Sequence, residues 1–147
     1  MIYKRPESVL VVVYTLDGQV LLLRRIQPTD FWQSVTGSLE SGESPLEAAC
    51  RELSEETGLS SQGLCDCHQS HAFVIYPHWR HHYAPGVTQN REYIFRLAVP
   101  VCREIELDTT EHEAYLWLPK SDAAAQVQSY TNRDAIVQWV PEAKNRG

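Results

Sequence analysis

At 147 residues, with 43% hydrophobic and 10% aromatic side chains and a formal net charge of −6, the chain has the length of one domain and the composition of an ordinary soluble globular protein. That excludes disordered, fibrous and repeat architectures. Six glutamates (Glu40, Glu43, Glu47, Glu52, Glu55, Glu56) against Arg51 carry −5 of the charge. The acidity is therefore held at one spot, which argues for a bound cation and against a nucleic-acid partner, whose phosphates would need a basic face.

Ser8 to Thr15 is a continuous valine-rich run, the pattern of a central strand covered on both faces. The run is too short to span a bilayer and lacks a signal-cleavage pattern, so a cytoplasmic protein with no membrane partner and four reduced cysteines is expected. Asp17-Gly18 predicts a type I′ turn into a hairpin partner, Gln19 to Arg25. Arg24 and Arg25 end that strand and, being adjacent, point to opposite faces, so at most one can face a site. Pro28-Thr29-Asp30 is a loop, and Phe31 to Thr36 a short strand leading to Gly37, with Trp32 a core or pocket aromatic.

Ser44 followed three residues later by Glu47 is a capping box, Pro45 suits the first helical position and Gly58 terminates, so a helix is predicted from about Pro45 to Thr57. Leu46, Ala49, Cys50, Leu53 and Thr57 share one stripe of it, and Glu52, Glu55 and Glu56 share another. Three carboxylates so close repel one another, with only Arg51, one turn before Glu55, as local relief. Hard oxygen ligands on a rigid element suit Mg²⁺ or Mn²⁺, above all when phosphate oxygens complete the octahedron. A solvated acidic face is the bland alternative for such a spacing taken alone.

Gln62 to Tyr76 reads as one or two strands. Cys65-x-Cys67-His68 with His71 falls short of a zinc site, since alternation supplies two same-face thiols and no second pair follows. Pro77 to Asn90 is a long irregular stretch dense in imidazoles and aromatics; His78, Arg80, His81 and His82 there could meet phosphate or simply pack as a surface loop. Glu92 to Val99 alternates as a strand that Cys102 to Leu107 extends or re-pairs, Thr109 to His112 is a turn, and Ala114 to Leu118 a further strand. A helix begins at Pro119-Lys120-Ser121, and Asn132 caps a last one, Arg133 to Val140, with Ile136, Trp139 and Val140 as its apolar stripe. This order describes an α+β or mixed α/β domain, a sheet covered by helices on both sides.

The stretch Gly37 to Leu59 satisfies G-x5-E-x7-R-E-U-x-E-E-x-G-U, with U apolar, at Gly37, Glu43, Arg51, Glu52, Leu53, Glu55, Glu56, Gly58 and Leu59. It resembles the Nudix box, and the resemblance implies a Nudix α/β/α sandwich, a mixed sheet between helices, over one domain, residues 1–147. It also implies a metal site at Glu52, Glu55 and Glu56 with Gly37, oriented by Arg51 through Glu43, and hydrolysis of a substrate linked to a nucleoside diphosphate. Beyond the box, residues 3–6, 30–37, 82–88, 110–112 with 114–115 and 117–118, and 129 with 132–133 resemble the bacterial branch of the family that acts on dihydroneopterin triphosphate in folate synthesis. By that likeness Lys4, Arg24, Thr36 and Ser129, with Phe73, Val74, Ile75 and Tyr76, contact substrate, and Glu111 is a further metal-associated carboxylate. Mg²⁺, or Mn²⁺, is the implied cofactor, and Glu55 or Glu111 the base that takes a proton from water. The partner is a small molecule, and a monomer is expected, a dimer being the alternative. A broader nucleoside triphosphate pyrophosphatase is the nearest rival; a non-catalytic nucleotide-binding module is disfavoured because all three box glutamates are present.

Overall fold

The computed structural model describes residues 2–143. Strand β1 (Glu7–Thr15) is the centre of a seven-stranded mixed sheet. It runs parallel to β6 (Gln89–Val99) over its whole length, from Glu7 opposite Arg91 to Thr15 opposite Val99. It pairs antiparallel with β2 (Gln19–Arg25) and with β4 (Val35–Ser38). β2 in turn holds β3 (Trp32–Gln33) and β7 (His112–Pro119), and β5 (Cys65–Val74) lies outside β6.

Alternation along β1 divides the core. Val9, Val11 and Val13 pack with Ala48, Ala49 and Leu53 of helix α1 (Pro45–Thr57). Leu10, Val12 and Tyr14 pack with Ala123 of α2 (Lys120–Gln126) and with Ala135 and Ile136 of α3 (Tyr130–Trp139). A valine-rich strand buried on both faces thus becomes the middle layer of an α/β/α sandwich, as expected.

Several local expectations are corrected. The β1–β2 turn is not type I′: the Gly18 N–H donates to the Thr15 carbonyl at 3.0 Å, and only Gly18, at φ 87°, is left-handed, so Leu16-Asp17-Gly18 form a three-residue loop. Phe31 to Thr36 is not one strand; it breaks at Ser34, because β3 pairs with β2 and β4 with β1. Cys102 to Leu107 forms no strand. Leu46 lies outside the buried stripe of α1 and is half exposed. His112 is the first residue of β7 rather than part of a turn. Helix α3 begins earlier than predicted, capped by Ser129, whose hydroxyl accepts the Asn132 N–H at 3.3 Å. Asn132 lies within the helix and buried, its amide donating to Ser34 Oγ at 2.9 Å while its carbonyl accepts the Ser34 N–H at 2.8 Å.

Candidate active site

The start of α1 sets the phase of its carboxylates. Ser44 Oγ accepts the Glu47 N–H and the Glu47 carboxylate accepts the Ser44 N–H, each at 3.1 Å, so the helix begins at Pro45. From that origin Glu56 turns inward and is 1% exposed, while Glu55 points outward. Glu52 lies over Gly37 of β4: a Cβ on Gly37 would stand 2.2 Å from the Glu52 Cδ, so only glycine leaves room for that carboxylate.

Arg51 ties the box together. Its Nε and Nη2 donate to the two oxygens of Glu43 at 2.8 and 2.9 Å, Nη1 donates to Glu52 at 2.7 Å and to Glu55 at 3.3 Å, and Nη2 also reaches the Ser38 carbonyl at 3.0 Å. The bidentate guanidinium holds the Glu43 carboxyl down at about 2. One side chain thus fixes the loop before α1, the end of β4 and two box carboxylates.

Glu56 is different in kind. Neither of its oxygens has a hydrogen-bond partner, and its ionisation is pushed well up by burial first and by the Glu52 and Glu111 carboxylates next. Glu52 is raised too, chiefly by burial. Across from Glu56, β7 opens beside the end of β2: the Ile26 N–H donates to the Glu111 carbonyl at 3.0 Å, and Arg25 is paired with His112. Ligand atoms of Glu56, Glu111 and His112 then lie within 4.8 Å of one another. His112 is buried, its Nε2 stands 3.2 Å from the Gln33 amide nitrogen and 3.6 Å from Glu56, and burial lowers its pKa to about 4, so it is neutral at pH 7. The buried Glu56 carboxylate, the partly buried Glu52 beside it and the exposed Glu111 at the rim gather excess negative charge at one spot. A divalent cation with hard-ligand preference fits that donor set.

The predicted positions fall into groups. Glu56 and Glu111 meet; Glu52 adjoins Glu56; Glu55 is held on Arg51 at the exposed rim. Phe73, Val74, Ile75, Tyr76 and Ser129 line one cavity of about 290 Å³ between the end of β5 and the start of α3, together with Pro77, Tyr130 and Thr131. Phe31, Tyr76 and Trp79 pack edge to face next to it, with the Arg25 guanidinium 5.1 Å from the Trp79 ring centroid. The aromatic cluster therefore bridges the cavity and the acidic site. Lys4, Arg24 and Thr36 lie outside the cavity walls: the Thr36 hydroxyl donates to the Val9 carbonyl at 2.8 Å, and Arg24 Nε is 3.1 Å from Glu113. The 77–90 stretch contains a short 3-10 helix, Pro77–His82, whose Trp79 belongs to the aromatic cluster.

Arg25 and His112 escaped the sequence reading. Of the two adjacent arginines, Arg25 feels the charges of Glu111 and Glu56. Strict alternation sends the pair to opposite faces; the irregularity between Arg24 and Arg25 in the pairing with β7 interrupts that alternation. His112 adjoins Glu111 in sequence, but nothing local marks it as buried.

The NUDIX domain family matches residues 4–140. The chain is similar to the dihydroneopterin triphosphate diphosphatase of Escherichia coli strain K12, at 49% identity over 147 residues and 97% of each chain. It is also similar to the enzyme of that name from Haemophilus influenzae, at 41% identity over 95% of this chain and 90% of the relative. The solved structure of the E. coli dihydroneopterin triphosphate pyrophosphohydrolase superposes with a TM-score of 0.88, covering 95% of this chain and 98% of that one at 49% identity. With a capped helix presenting the box carboxylates, Gly37 beneath Glu52 and Arg51 at the hub, the chain belongs to the NUDIX domain family.

Proposed function

We propose that this protein, as a single domain over residues 1–147, hydrolyses dihydroneopterin triphosphate to dihydroneopterin monophosphate and pyrophosphate in folate biosynthesis, using Mg²⁺ or Mn²⁺. The observation that carries the reading is the Glu56 carboxylate, buried with both oxygens unpartnered beside Glu52, Glu111 and His112. Such a group is costly unless a cation joins it. The substrate rests on the similarity to the two bacterial diphosphatases, which extends over nearly the whole chain.

Glu56 and Glu111, with Glu52 adjoining, would hold the cation, and Arg51 through Glu43 would keep the helix carboxylates aligned. When bound, the cation neutralises phosphate oxygens and makes water more acidic. The oxygen of water bonds to one of the two phosphorus atoms flanking the α–β bridge, and the bridging oxygen leaves with the other. Glu55, outside the buried carboxylate group but tied to its frame through Arg51, takes the proton of that water. Arg24 and Lys4 serve the phosphate chain, and the cavity of Phe73 to Tyr76 and Ser129 takes the ring. The protein acts as a monomer on a small molecule rather than on nucleic acid in this reading. Among the described residues no helix is long and apolar enough to cross a membrane, and four free thiols fit a cytoplasmic protein.

Hydrolysis of dihydroneopterin triphosphate, GTP and dATP in ¹⁸O-labelled water, followed by phosphorus detection, tests the reading. Pterin hydrolysis with the highest kcat/KM, giving pyrophosphate, is expected. A specificity constant for the pterin below those of both nucleotides would replace this reading with a general nucleotide pyrophosphatase.

A further inference from the structure

Glu92 is a buried carboxyl that the proposed reaction leaves without a task. It is 5% exposed and lies on β6, two residues beyond Asn90 and two before Ile94, which packs in the core layer beneath α2 and α3. Its polar neighbours on that face are satisfied: Ser8 Oγ donates to Asn90 Oδ1 at 2.7 Å, and the Asn90 amide donates to the Tyr83 hydroxyl at 3.4 Å. Glu92 Oε1 has no partner. Among the described residues the other buried side-chain atoms left so are in Glu56, His112 and Arg24, at the acidic site or beside Glu113.

The position of this free oxygen gives it meaning. The Thr131 hydroxyl stands beside the Glu92 carboxyl, and Thr131 lines the cavity of about 290 Å³ that runs between Phe73–Pro77 and Ser129–Thr131. Tyr76, on the opposite wall, has its phenol raised by burial and, in part, by the charges of Tyr130 and Glu92. Glu92 therefore lies next to the cavity, behind its Thr131 wall, between the sheet and the first turn of α3. Burial pushes its carboxyl up to about 7, with only the Thr131 hydroxyl opposing the shift and no cation beside it. A group in this state lacks N–H donors, and the cavity above it is where donors could enter.

We propose that Glu92 selects the substrate's ring, its carboxylate accepting the two adjacent N–H donors of a 2-amino-4-oxopyrimidine edge, the edge common to pterins and guanine. The inference rests on the function proposed above and names the residue that reads the ring. A ring amide N–H beside an exocyclic amino group presents two parallel donors, which a carboxylate can accept together as it accepts a guanidinium. Adenine offers an amino group beside a ring nitrogen lone pair, which the ionised carboxylate cannot serve, so the four substrates are compared at pH 8, above the point where Glu92 ionises. Phe73, Tyr76 and Tyr130 around the cavity supply ring faces and edges for the flat sides of the ligand. A site with a buried acceptor rejects ligands that leave it unpaired far more strongly than an apolar slot does.

Two arms test this. On the parent protein, kcat/KM is measured for dihydroneopterin triphosphate, GTP, dATP and ITP, the last differing from GTP only in lacking the 2-amino group. ITP is expected to fall at least about tenfold below GTP, chiefly through KM. In Glu92→Gln, nearly equal in size, the GTP-to-ITP and pterin-to-dATP ratios should each shrink by roughly tenfold or more, while the Tm response to Mg²⁺ persists. Equal constants for GTP and ITP on the parent would overturn the proposal, and so would uniform losses across all four substrates, or no loss, in a folded Glu92→Gln. Should that variant not fold, the GTP and ITP comparison decides alone. Absence of pterin hydrolysis by the parent with the GTP-to-ITP gap intact removes the folate reading and supports Glu92; pterin hydrolysis without the gap does the reverse.

Discussion

The carboxylate of Glu52 occupies the space where any side chain on Gly37 would begin, its Cδ 2.2 Å from the position of a Cβ there. The glycine is thus a matter of room, and the helix and strand of the box are fitted to each other at that point. Gly37→Ala should push the Glu52 carboxylate out of place and lower turnover by about tenfold to a thousandfold, with a rise in the Mg²⁺ concentration needed for half-maximal activity. Titrating activity against Mg²⁺ checks this; a normal metal requirement would show that Glu52 does not serve the cation.

Glu56→Gln keeps size and helix propensity but removes the buried acid. Activity should fall by at least about a hundredfold. The folded-state pKa of Glu56 lies well above its ordinary value, so ionisation opposes folding. The metal-free parent should therefore lose stability as pH rises past the usual carboxylate range, and the variant should lose less. With Mg²⁺ the parent should gain Tm while the variant gains little, since binding to the folded form is the source of the gain. Thermal melts with and without the ion, across pH, read both effects.

Arg51→Ala breaks the bidentate pair with Glu43 and frees Glu52, Glu55 and the Ser38 carbonyl at once. A stability loss of roughly 1–3 kcal/mol is expected, with kcat reduced more than KM is raised. Glu43 is held at about 2 against an ordinary 4.5, so its share of stability is present above 4.5 and disappears as pH falls through about 2. Acid unfolding of the variant should accordingly be less steep at the low-pH end. If only KM rises, Arg51 is a substrate clamp.

Glu92 gives the opposite sign. Its carboxyl is raised to about 7 from 4.5, so in the absence of ligand the unfolded state ionises first and stability falls as pH climbs between those values. The full effect is on the order of 3 kcal/mol. Glu92→Gln should remove it, making the variant's Tm less sensitive to pH between about 5 and 8 than the parent's. Parallel pH profiles of Tm for the two proteins would show that Glu92 does not titrate as its burial requires.

Arg25 and Arg24 should separate in kinetics. Arg25 lies within the field of Glu111 and Glu56, whereas Arg24 pairs with Glu113 at 3.1 Å and lies 5.7 Å from the Trp32 ring centroid. Arg25→Ala should depress kcat without weakening metal affinity, since it removes a positive charge beside the cation's ligands; Arg24→Ala should act on KM for pterin and purine substrates alike, by roughly tenfold. Steady-state constants for both variants at several Mg²⁺ concentrations distinguish the roles.

Residues local to one segment were legible in the sequence alone. The capping box at Ser44 and Glu47, Pro45 and Gly58 bounded α1 to the residue, because caps are satisfied within a single turn. The valine run gave the central strand, because burial on both faces needs no partner to be recognised. The glutamate spacing on that helix, taken alone, left a solvated acidic face as its bland explanation; the family likeness made it a candidate metal site and added Gly37, Glu43 and Arg51. What the tertiary structure decided lies between segments distant in the chain. Pairing of β2 with β7 brings Arg25 and His112 to Glu56, a contact that strand register sets and local pattern does not. The cap of α3 moved to Ser129 because Asn132 is taken by Ser34, nearly a hundred residues away, to satisfy a buried N–H. Glu92 read as one more polar position of an alternating strand; only α3 laid across that face turned it into a buried carboxyl with a free oxygen, next to Thr131 of a cavity wall.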